Sequence, residues 1–521
     1  MEQKEIETSK ERVSLKEVGT LVLGIGLSIL SAAICMQIMG NFGTAPNTSL
    51  IGAVLVMIVA RIPLMATQKF RNTERQNNVL SMASSAGFVA ANCGFIAIAT
   101  VFIMGRSDLI MPSTIAALAG SMISIFIMGK LFDSKIFPAR GGWPMGQAVA
   151  TMLEAGDGGG KKAWQLVQGL VVGAVASFFG IPAAGMGVAF IANMFSMGAL
   201  AIGMILNGYS ALFFAGFEIR DSNIAQGMMM GAGVVALVQI ILAIFKKNKK
   251  KDDEIDYSVG DGITKKVLAG GGGIFVLGAL VIAFISGIFT DMNLGQSLLW
   301  LVFSGFSALL VMILVGTASM HSGWAPAFGV VATCLTLGIF MGFPPVSLAV
   351  LVGYIGAIGM PLADTGIGLK AGWLIRGKGE NPDHEKRGRR QQVVLKQIGA
   401  VIGAGMAIIF GMILLQNNVT PPMSAFYAAA VETPADPAVL GQLALWAIPG
   451  ALLQVVFGNK SVGLMIATGL LINNPLFGIM VLASIVLRLI IGTKFMTVRA
   501  PGLIAGDGLF GFGANIFNAL F

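Results

Sequence analysis

Three carboxylates of this sequence lie inside, or at the end of, stretches that are otherwise apolar. Asp364 follows an apolar run that starts near Val346, Asp507 lies within the C-terminal apolar segment, and Glu154 lies in a short segment bounded by prolines and glycines. A charge at the centre of a membrane-spanning helix costs roughly 2.5–3.5 kcal/mol on insertion scales, and such residues commonly face a partner or a cavity. We therefore expect Glu154, Asp364 and Asp507 to include a functional group.

Three further side chains are candidates for binding a small solute. Gln147 belongs to a short predicted helix whose amino terminus would present backbone amides to an anionic group. The same segment also fits an amphipathic helix in a cytoplasmic loop. Asn92 interrupts an apolar stretch, where its amide could bind either a ligand or a neighbouring helix. His321 could relay protons near neutral pH, or lie in a loop or at an interface.

Asp364 is followed closely by Lys370 in a segment rich in glycine. On one continuous helix the two side chains would lie on nearly opposite faces. Gly366 and Gly368 lie between them, so we expect a break in the helix that lets the two charges approach. In the alternative interpretation Lys370 extends to water at the cytoplasmic end and, with Arg376, sets the topology.

The composition determines what the helices around these residues must be. Of 521 residues, 55% are hydrophobic and only 11% are charged, against about 25% charged in a typical soluble domain. Apolar runs long enough to cross a ~30 Å hydrocarbon layer recur along the whole sequence. We therefore predict an all-α polytopic membrane protein with about 14–16 transmembrane helices, some of them re-entrant or broken.

The net charge of +9 reflects basic residues gathered in short loops between the apolar runs, among them Lys246–Lys251 and Arg376–Lys396. This distribution follows the positive-inside rule, so we assign these loops and the N-terminus to the cytoplasm and expect no nucleic-acid partner. The three cysteines have no paired spacing, and we expect neither a disulfide framework nor a metal site. The resulting division is a cytoplasmic segment 1–17, a first transmembrane half 18–245, a charged linker 246–266 and a second transmembrane half 267–521.

The two halves share one local pattern after a basic segment. Gly169-Leu170-Val171-Val172-Gly173-Ala174 in the first half corresponds to Gly399-Ala400-Val401-Ile402-Gly403-Ala404 in the second. Glycines at this spacing allow close helix packing, within one chain or between two. Their matching positions favour a two-repeat architecture, in which a binding site commonly lies between the repeats.

Several separate motifs resemble the oligopeptide transporter (OPT) family, which includes the yellow-stripe-like metal-chelate transporters. They are Phe137-Pro138 with the segment 147–161, Asp364 with Leu369-Lys370-Ala371-Gly372-Trp373-Leu374, Arg390-Gln391-Gln392, and Gly502-Leu503-Ile504-Ala505-Gly506-Asp507. The sequence departs from the family pattern at Arg140 and Trp143, and we expect a different ligand if that segment lines the substrate path. The resemblance covers most of the chain from about residue 75 onward.

The resemblance implies proton-coupled secondary transport of small peptides or of related amino-acid-derived or metal-chelate solutes. With that function, we expect Glu154, Asp364 and Asp507 to include the proton-coupling carboxylate. It suggests a homodimer in the plasma membrane, which in a prokaryote is the inner membrane. The residues contain no nucleotide-binding or hydrolase motif, so we expect neither an enzyme nor a cofactor. A channel or passive pore, and a membrane-embedded enzyme that uses two converging carboxylates, remain the alternatives.

Overall fold

The computed structural model describes residues 18–42, 49, 52, 53, 56, 57, 72–158, 160–219, 222–245, 257–323, 325–432, 436–457 and 462–520. Within this part of the chain the structure is helical, without strands apart from an isolated bridge between Phe132 and Phe137. The predicted all-α polytopic membrane fold is confirmed. The predicted N-terminal segment 1–17 and residues 246–256 of the predicted linker lie outside the described residues.

The first half contributes ten helices to the described part of the chain. They are α1 (Val18–Phe42), α2 (Thr73–Phe88), α3 (Ile96–Ile103), α4 (Ile110–Leu131), α5 (Pro144–Gly158), α6 (Gly160–Phe178), α7 (Ala183–Ile191), α8 (Met194–Gly208), α9 (Ser210–Phe213) and α10 (Ile224–Phe245). A π-helical segment, Val89–Phe95, connects α2 to α3 without a turn.

The second half contributes another ten helices to the same description. They are α11 (Asp261–Ser286), α12 (Leu294–Ser322), α13 (Ala327–Phe340), α14 (Pro345–Ile375), α15 (Pro382–Gln416), α16 (Pro422–Glu432), α17 (Pro437–Phe457), α18 (Val462–Leu470), α19 (Pro475–Ile491) and α20 (Arg499–Leu520). Because α11 begins at Asp261, the end of the predicted charged linker is already helical.

Eight helical stretches of the described chain are long and apolar enough to cross a membrane. Four shorter apolar helices accompany them: Met194–Gly208, Ile224–Ala236, Ala327–Phe340 and Pro475–Ile491. Several of the shorter helices adjoin a second short helix across a break, as α7 adjoins α8 and α18 adjoins α19. The predicted total of about 14–16 spans stays a prediction.

The long helix α14 is the structural centre of the second half. Most of its residues are buried, and it packs against α2, α4, α5, α12 and α15. A helix that is apolar on all sides is stable only when protein or lipid surrounds it. Polar side chains on α14 are therefore held among other helices, and their partners must come from those helices.

Both glycine patterns predicted from the sequence serve close packing between helices of one chain. Gly169 and Gly173 of α6 lie against the backbone of α20, and Gly399 and Gly403 of α15 lie against the backbone of α2. A methyl group at any of the four positions would collide with a neighbouring carbonyl oxygen. The glycines thus permit backbone contacts that larger residues would prevent. The two-repeat architecture itself stays a prediction.

Asparagines begin many of the helices. Asn72, Asn193, Asn381 and Asn474 each accept hydrogen bonds from backbone amides of the first turn that follows, and Asn293 forms a capping box with Gln296. These side chains satisfy amides that have no partner within the helix. Such caps are needed most where no water can replace them.

Candidate functional site

A cavity of about 660 Å³ lies among α2–α3, α12–α14, α16 and α18–α19. Small-molecule sites commonly have about 300–1,000 Å³. Its wall is mainly apolar and includes five methionines among the described residues, Met39, Met145, Met197, Met360 and Met423. Its polar members are Asn92, Ser319, Ser322, Asp364, Tyr427, Thr468, Asn473 and Asn474. The cavity can therefore enclose a small solute that is apolar over most of its surface.

Interruptions of the helices surround this cavity. The break between α12 and α13 contributes Gly323, which has a φ of 78° that glycine adopts without strain, together with Pro326. The break between α18 and α19 contributes Asn473 and Asn474, and α16 begins in the wall at Pro422. Irregular backbone is tolerated at membrane depth where it is covered by protein or lines a cavity. Discontinuous helices of this kind form the substrate sites of many transporters.

Asp364 is the charged residue in the described wall, and it forms an ion pair with Lys396 of α15. The two side chains are 1% and 0% exposed, respectively. Asp364 Oδ1 also accepts a hydrogen bond from Ser49 Oγ at 3.1 Å, and Lys396 Nζ lies 3.2 Å from Ser84 Oγ. A buried charge is tolerated when it is paired and its remaining hydrogen bonds are satisfied. Asp364 thus belongs to the cavity wall and has a neutralising partner on a neighbouring helix.

A ladder of polar contacts continues from this ion pair along α15. Gln392, one turn before Lys396, donates to the carbonyl oxygen of Gly368 at 2.9 Å and to Ser81 Oγ at 3.2 Å. Its own oxygen accepts from Arg376 Nη1 at 2.9 Å. Arg376 then forms two bonds of 2.8 and 3.1 Å with Glu385. The ladder joins α2, α14 and α15 through side chains that are all buried.

The expected break between Asp364 and Lys370 is wrong. Helix α14 is continuous from Pro345 to Ile375, and Lys370 donates instead to the carbonyl oxygens of Ala139 and Gly141, at 2.7 and 3.2 Å. Lys370 is 4% exposed, so it does not extend to water either. The lysine holds the loop before α5, whose carbonyl groups would otherwise be unpaired.

The charge pattern predicted a basic loop over Arg376–Lys396, but most of this segment is helical. Helix α15 begins at Pro382, and Arg376, Glu385 and Lys396 are all buried. The prediction failed because these charges neutralise one another or Asp364, and a charge count along the sequence does not contain such pairing.

The structure brings two of the six predicted site residues to the cavity, Asn92 and Asp364. Asn92 lies in the π-helical segment, a local irregularity that is frequent at functional sites. His321 and Gln147 do not line the cavity. The carbonyl oxygen of His321 accepts from the Asn193 amide at 3.2 Å, and the Gln147 side chain donates to the carbonyl oxygen of Gly142.

The other two predicted carboxylates lie away from the cavity wall. Glu154 is exposed on α5. Asp507 of α20 accepts a hydrogen bond of 2.7 Å from the backbone amide of Ala184, in the first turn of α7. A carboxylate at this position satisfies a free amide and interacts favourably with the helix dipole. The three predicted carboxylates are therefore not brought together in one site.

Two residues of the unusual segment before α5 can also be located. Trp143 is fully buried, with its ring centroid 6.3 Å from that of Phe132 and 6.2 Å from that of Phe137. Its indole N–H donates to the carbonyl oxygen of Pro138 at 3.2 Å. Arg140 is exposed. Neither residue lines the cavity, so this departure from the family pattern does not by itself alter the described wall.

The first half of the chain matches the model of a known protein family. Residues 19–269 match the family model described as OPT oligopeptide transporter protein. The match covers slightly less than half of the chain and includes Asn92, Gln147 and Glu154. Asp364 and the ion pair lie beyond its end. No curated protein matches the chain at a significant level.

Sequence reasoning missed Lys396 and Gln392 as members of the site. A signal for them exists in the sequence, because the two residues are one helical turn apart and directly precede the apolar run that begins after Lys396. Two polar side chains one turn apart lie on the same face of a helix. On a membrane helix, this pattern predicts that the face is buried against other helices. The lysine was instead assigned to the neighbouring basic loop, where its charge fits equally well.

Proposed function

We propose that this protein is a secondary active transporter that moves small peptides, or related amino-acid-derived or metal-chelate solutes, together with protons. The similarity of residues 19–269 to oligopeptide transporters supports the transport class. The yellow-stripe-like resemblance extends the proposed substrates to chelated metals. The observation that carries the proposal is the position of Asp364, a paired carboxylate in the wall of an otherwise mainly apolar cavity.

We assign proton coupling to Asp364 rather than to Glu154 or Asp507. A proton on Asp364 removes the negative charge that holds Lys396. The contact between α14 and α15 then weakens at the position of this ion pair. The ammonium group of a peptide could compete with Lys396 for the same carboxylate. Either event would change the contact between α14 and α15 beside the cavity. Proton and solute are coupled when both act on the same contact in this way.

The remaining predicted residues take unequal parts in this mechanism. Asn92 would contact the solute because it lines the cavity. Gln147 and His321 would act indirectly, since Gln147 orders the start of α5 and His321 belongs to the last turn of α12 beside the wall residues Ser319 and Ser322. Glu154 has no role in the assigned proton step.

Proton-driven uptake into vesicles that contain the purified protein tests the assignment. With trialanine as the probe and an inward proton gradient, we expect Asp364→Asn to abolish accumulation, because the amide cannot bind and release the coupling proton. Asp507→Asn is the matched control, since its amide oxygen can still accept the hydrogen bond from Ala184. Full accumulation by Asp364→Asn, or equal loss in both variants, would contradict the assignment.

The same assay separates a transporter from the alternatives. A channel or passive pore equilibrates trialanine without accumulating it against a gradient. A membrane-embedded enzyme would change the peptide, whereas a transporter returns it intact, and mass analysis of the vesicle contents distinguishes the two. The proposal contains no chemical step on the substrate and no cofactor.

The proposal includes the predicted setting of the protein. We place it in the plasma membrane with its N-terminus in the cytoplasm, on the strength of the basic loops. The family resemblance suggests a homodimer. The glycine faces of α6 and α15 are used within the chain, so a dimer would require other surfaces. Light scattering of the detergent-solubilised protein measures its oligomeric state.

A further inference from the structure

Two helices begin in the wall of the cavity with unused backbone amides. The N–H groups of Gly329 in the first turn of α13 and of Met423 in the first turn of α16 have no hydrogen-bond acceptor among the described residues. Both residues belong to the cavity wall. Free amides at a helix start carry a partial positive charge and favour an anion.

The starts of these two helices lie side by side. The ring centroid of Phe328 is 5.5 Å from that of Tyr427 and 5.4 Å from that of Phe426, both on α16. Ser424 of α16 donates to the carbonyl oxygen of Ile96 at 3.1 Å, one turn after Asn92. The amides of both helices and the Asn92 side chain therefore border one part of the cavity.

Two side chains in the same wall have polar atoms for which the described part of the chain offers no partner. Ser319 is 1% exposed, and its hydroxyl group has no hydrogen-bond partner among the described residues. The side-chain nitrogen of Asn92 is buried and likewise unpaired. A buried polar group without a partner costs roughly 1–3 kcal/mol, so a ligand that supplies the missing partner binds more tightly. These two atoms belong to side chains outside the two helix starts. Both can donate a hydrogen bond, so they favour an anionic ligand as the helix starts do.

The wall chemistry limits which anion these donors would bind. Among the described wall residues there is no lysine, arginine or histidine, and the charged member is Asp364. A phosphate group carries about two negative charges at neutral pH and commonly requires cationic side chains. Neutral donors in an apolar wall instead suit a single carboxylate attached to an apolar solute.

We propose that the carboxylate end of the substrate binds at an anion site built from the two helix starts, with Asp364 left to receive a cationic group or the coupling proton. The anion site comprises the amides of Gly329 and Met423, the hydroxyl of Ser319 and the side-chain amide of Asn92. This proposal rests on the transport function above and makes its substrates carboxylate-bearing solutes. Amide-capped analogues should then bind more weakly, because they cannot place a negative charge on these donors.

Binding of trialanine and of trialanine amide to the purified wild-type protein tests the site. Calorimetry in detergent avoids any contribution from a membrane potential. We expect the free acid to bind at least about tenfold more tightly than the amide, because hydrogen bonds to a charged acceptor are stronger than those to a neutral one. Uptake of both peptides is measured in parallel.

Substitutions in the anion site provide the second readout. Ser319→Ala and Asn92→Leu should each reduce the preference for the free acid several-fold while affinity for the amide stays nearly constant. Ser304→Ala is the matched control, since Ser304 is a buried serine of the same helix that bonds to the carbonyl oxygen of Trp300 and does not line the cavity. It should keep the wild-type preference.

The outcomes separate the site from the function. If both peptides bind and accumulate equally, the transport proposal stands and the anion site is wrong. If neither peptide binds or accumulates, the proposed function fails for small peptides and the site fails with it. A wild-type preference retained in both Ser319→Ala and Asn92→Leu would also overturn the site as described.

Discussion

The contact of α15 with α2 and the contact of α6 with α20 are built alike but hold their carboxylates differently. In both, two glycines on one helix allow the neighbouring backbone to approach closely. The first contact lies beside the Asp364–Lys396 ion pair, which borders the cavity. In the second, Asp507 accepts a hydrogen bond from a helix start outside the cavity wall.

The difference indicates that a carboxylate within an apolar helix need not be a functional group. Asp507 completes the hydrogen bonds of a short helix, which explains its presence without any reference to substrate. Asp364 is paired with an opposing charge from another helix, and it belongs to the cavity wall. Under the proposed function its protonation would change both the helix contact and solute binding, whereas a change at Asp507 would affect the start of α7.

The largest expected effect comes from removing one member of the ion pair. Lys396→Met should lower the free energy of unfolding by about 3–5 kcal/mol, because Asp364 is left buried without its counter-charge. Adding Asp364→Asn to this variant should restore most of the stability, although uptake driven by protons stays lost. Denaturant titration in mixed micelles measures the stabilities.

A control for this prediction lies on the same helix. Lys386 is an exposed lysine of α15, and Lys386→Met should change the free energy of unfolding by no more than about 0.5 kcal/mol. If Lys396→Met were equally mild, the ion pair would not stabilise the contact and the comparison between the two regions would lose its basis.

An intermediate effect should be equal in the two regions. Gly403→Ala and Gly173→Ala each place a methyl group against a carbonyl oxygen, of Ala86 and Leu503 respectively. We expect each to lower the free energy of unfolding by about 1–3 kcal/mol. Gly405→Ala is the control, since a methyl group there meets nothing within 4 Å. Unequal losses at Gly403 and Gly173 would mean that the regions differ in packing as well as in charge.

The smallest effect is expected at Asp507. Asp507→Ala should lower the free energy of unfolding by about 0.5–2 kcal/mol, because the amide of Ala184 loses its acceptor. Asp507→Asn should be milder, and proton-driven uptake by both variants should persist once the amount of folded protein is matched. Loss of coupling in Asp507→Asn, with folding intact, would remove the distinction drawn between the two carboxylates.

The sequence was sufficient to predict the membrane class and that Asp364 meets a partner or a cavity. Both follow from local features, namely long apolar runs and a charge beside one of them. The short helix after Pro144 was also predicted from its flanking prolines and glycines, and it spans Pro144–Gly158. Such features depend on neighbouring residues, so they can be inferred without knowing which helices meet.

The errors concern features that depend on distant residues. Gly366 and Gly368 predicted a helix break, but the missing side chains instead make room for the Trp143 ring and the Lys396 side chain. Lys396 was grouped with a basic loop because its partner lies on another helix. The hydrogen bond of Asp507 with the start of α7 likewise joins parts of the chain that are far apart in sequence.

The Asp364–Lys396 pair also bears on how the protein enters the membrane. Its members lie on consecutive helices, α14 and α15, which are joined by the short turn between Ile375 and Pro382. Inserted separately, each helix would carry an unpaired charge into lipid at roughly 2.5–3.5 kcal/mol. Inserted together as a hairpin, the two helices bring in a neutral pair. We therefore expect the ion pair that contains the proposed proton-binding carboxylate to favour insertion of α14 and α15 as a single unit during biogenesis.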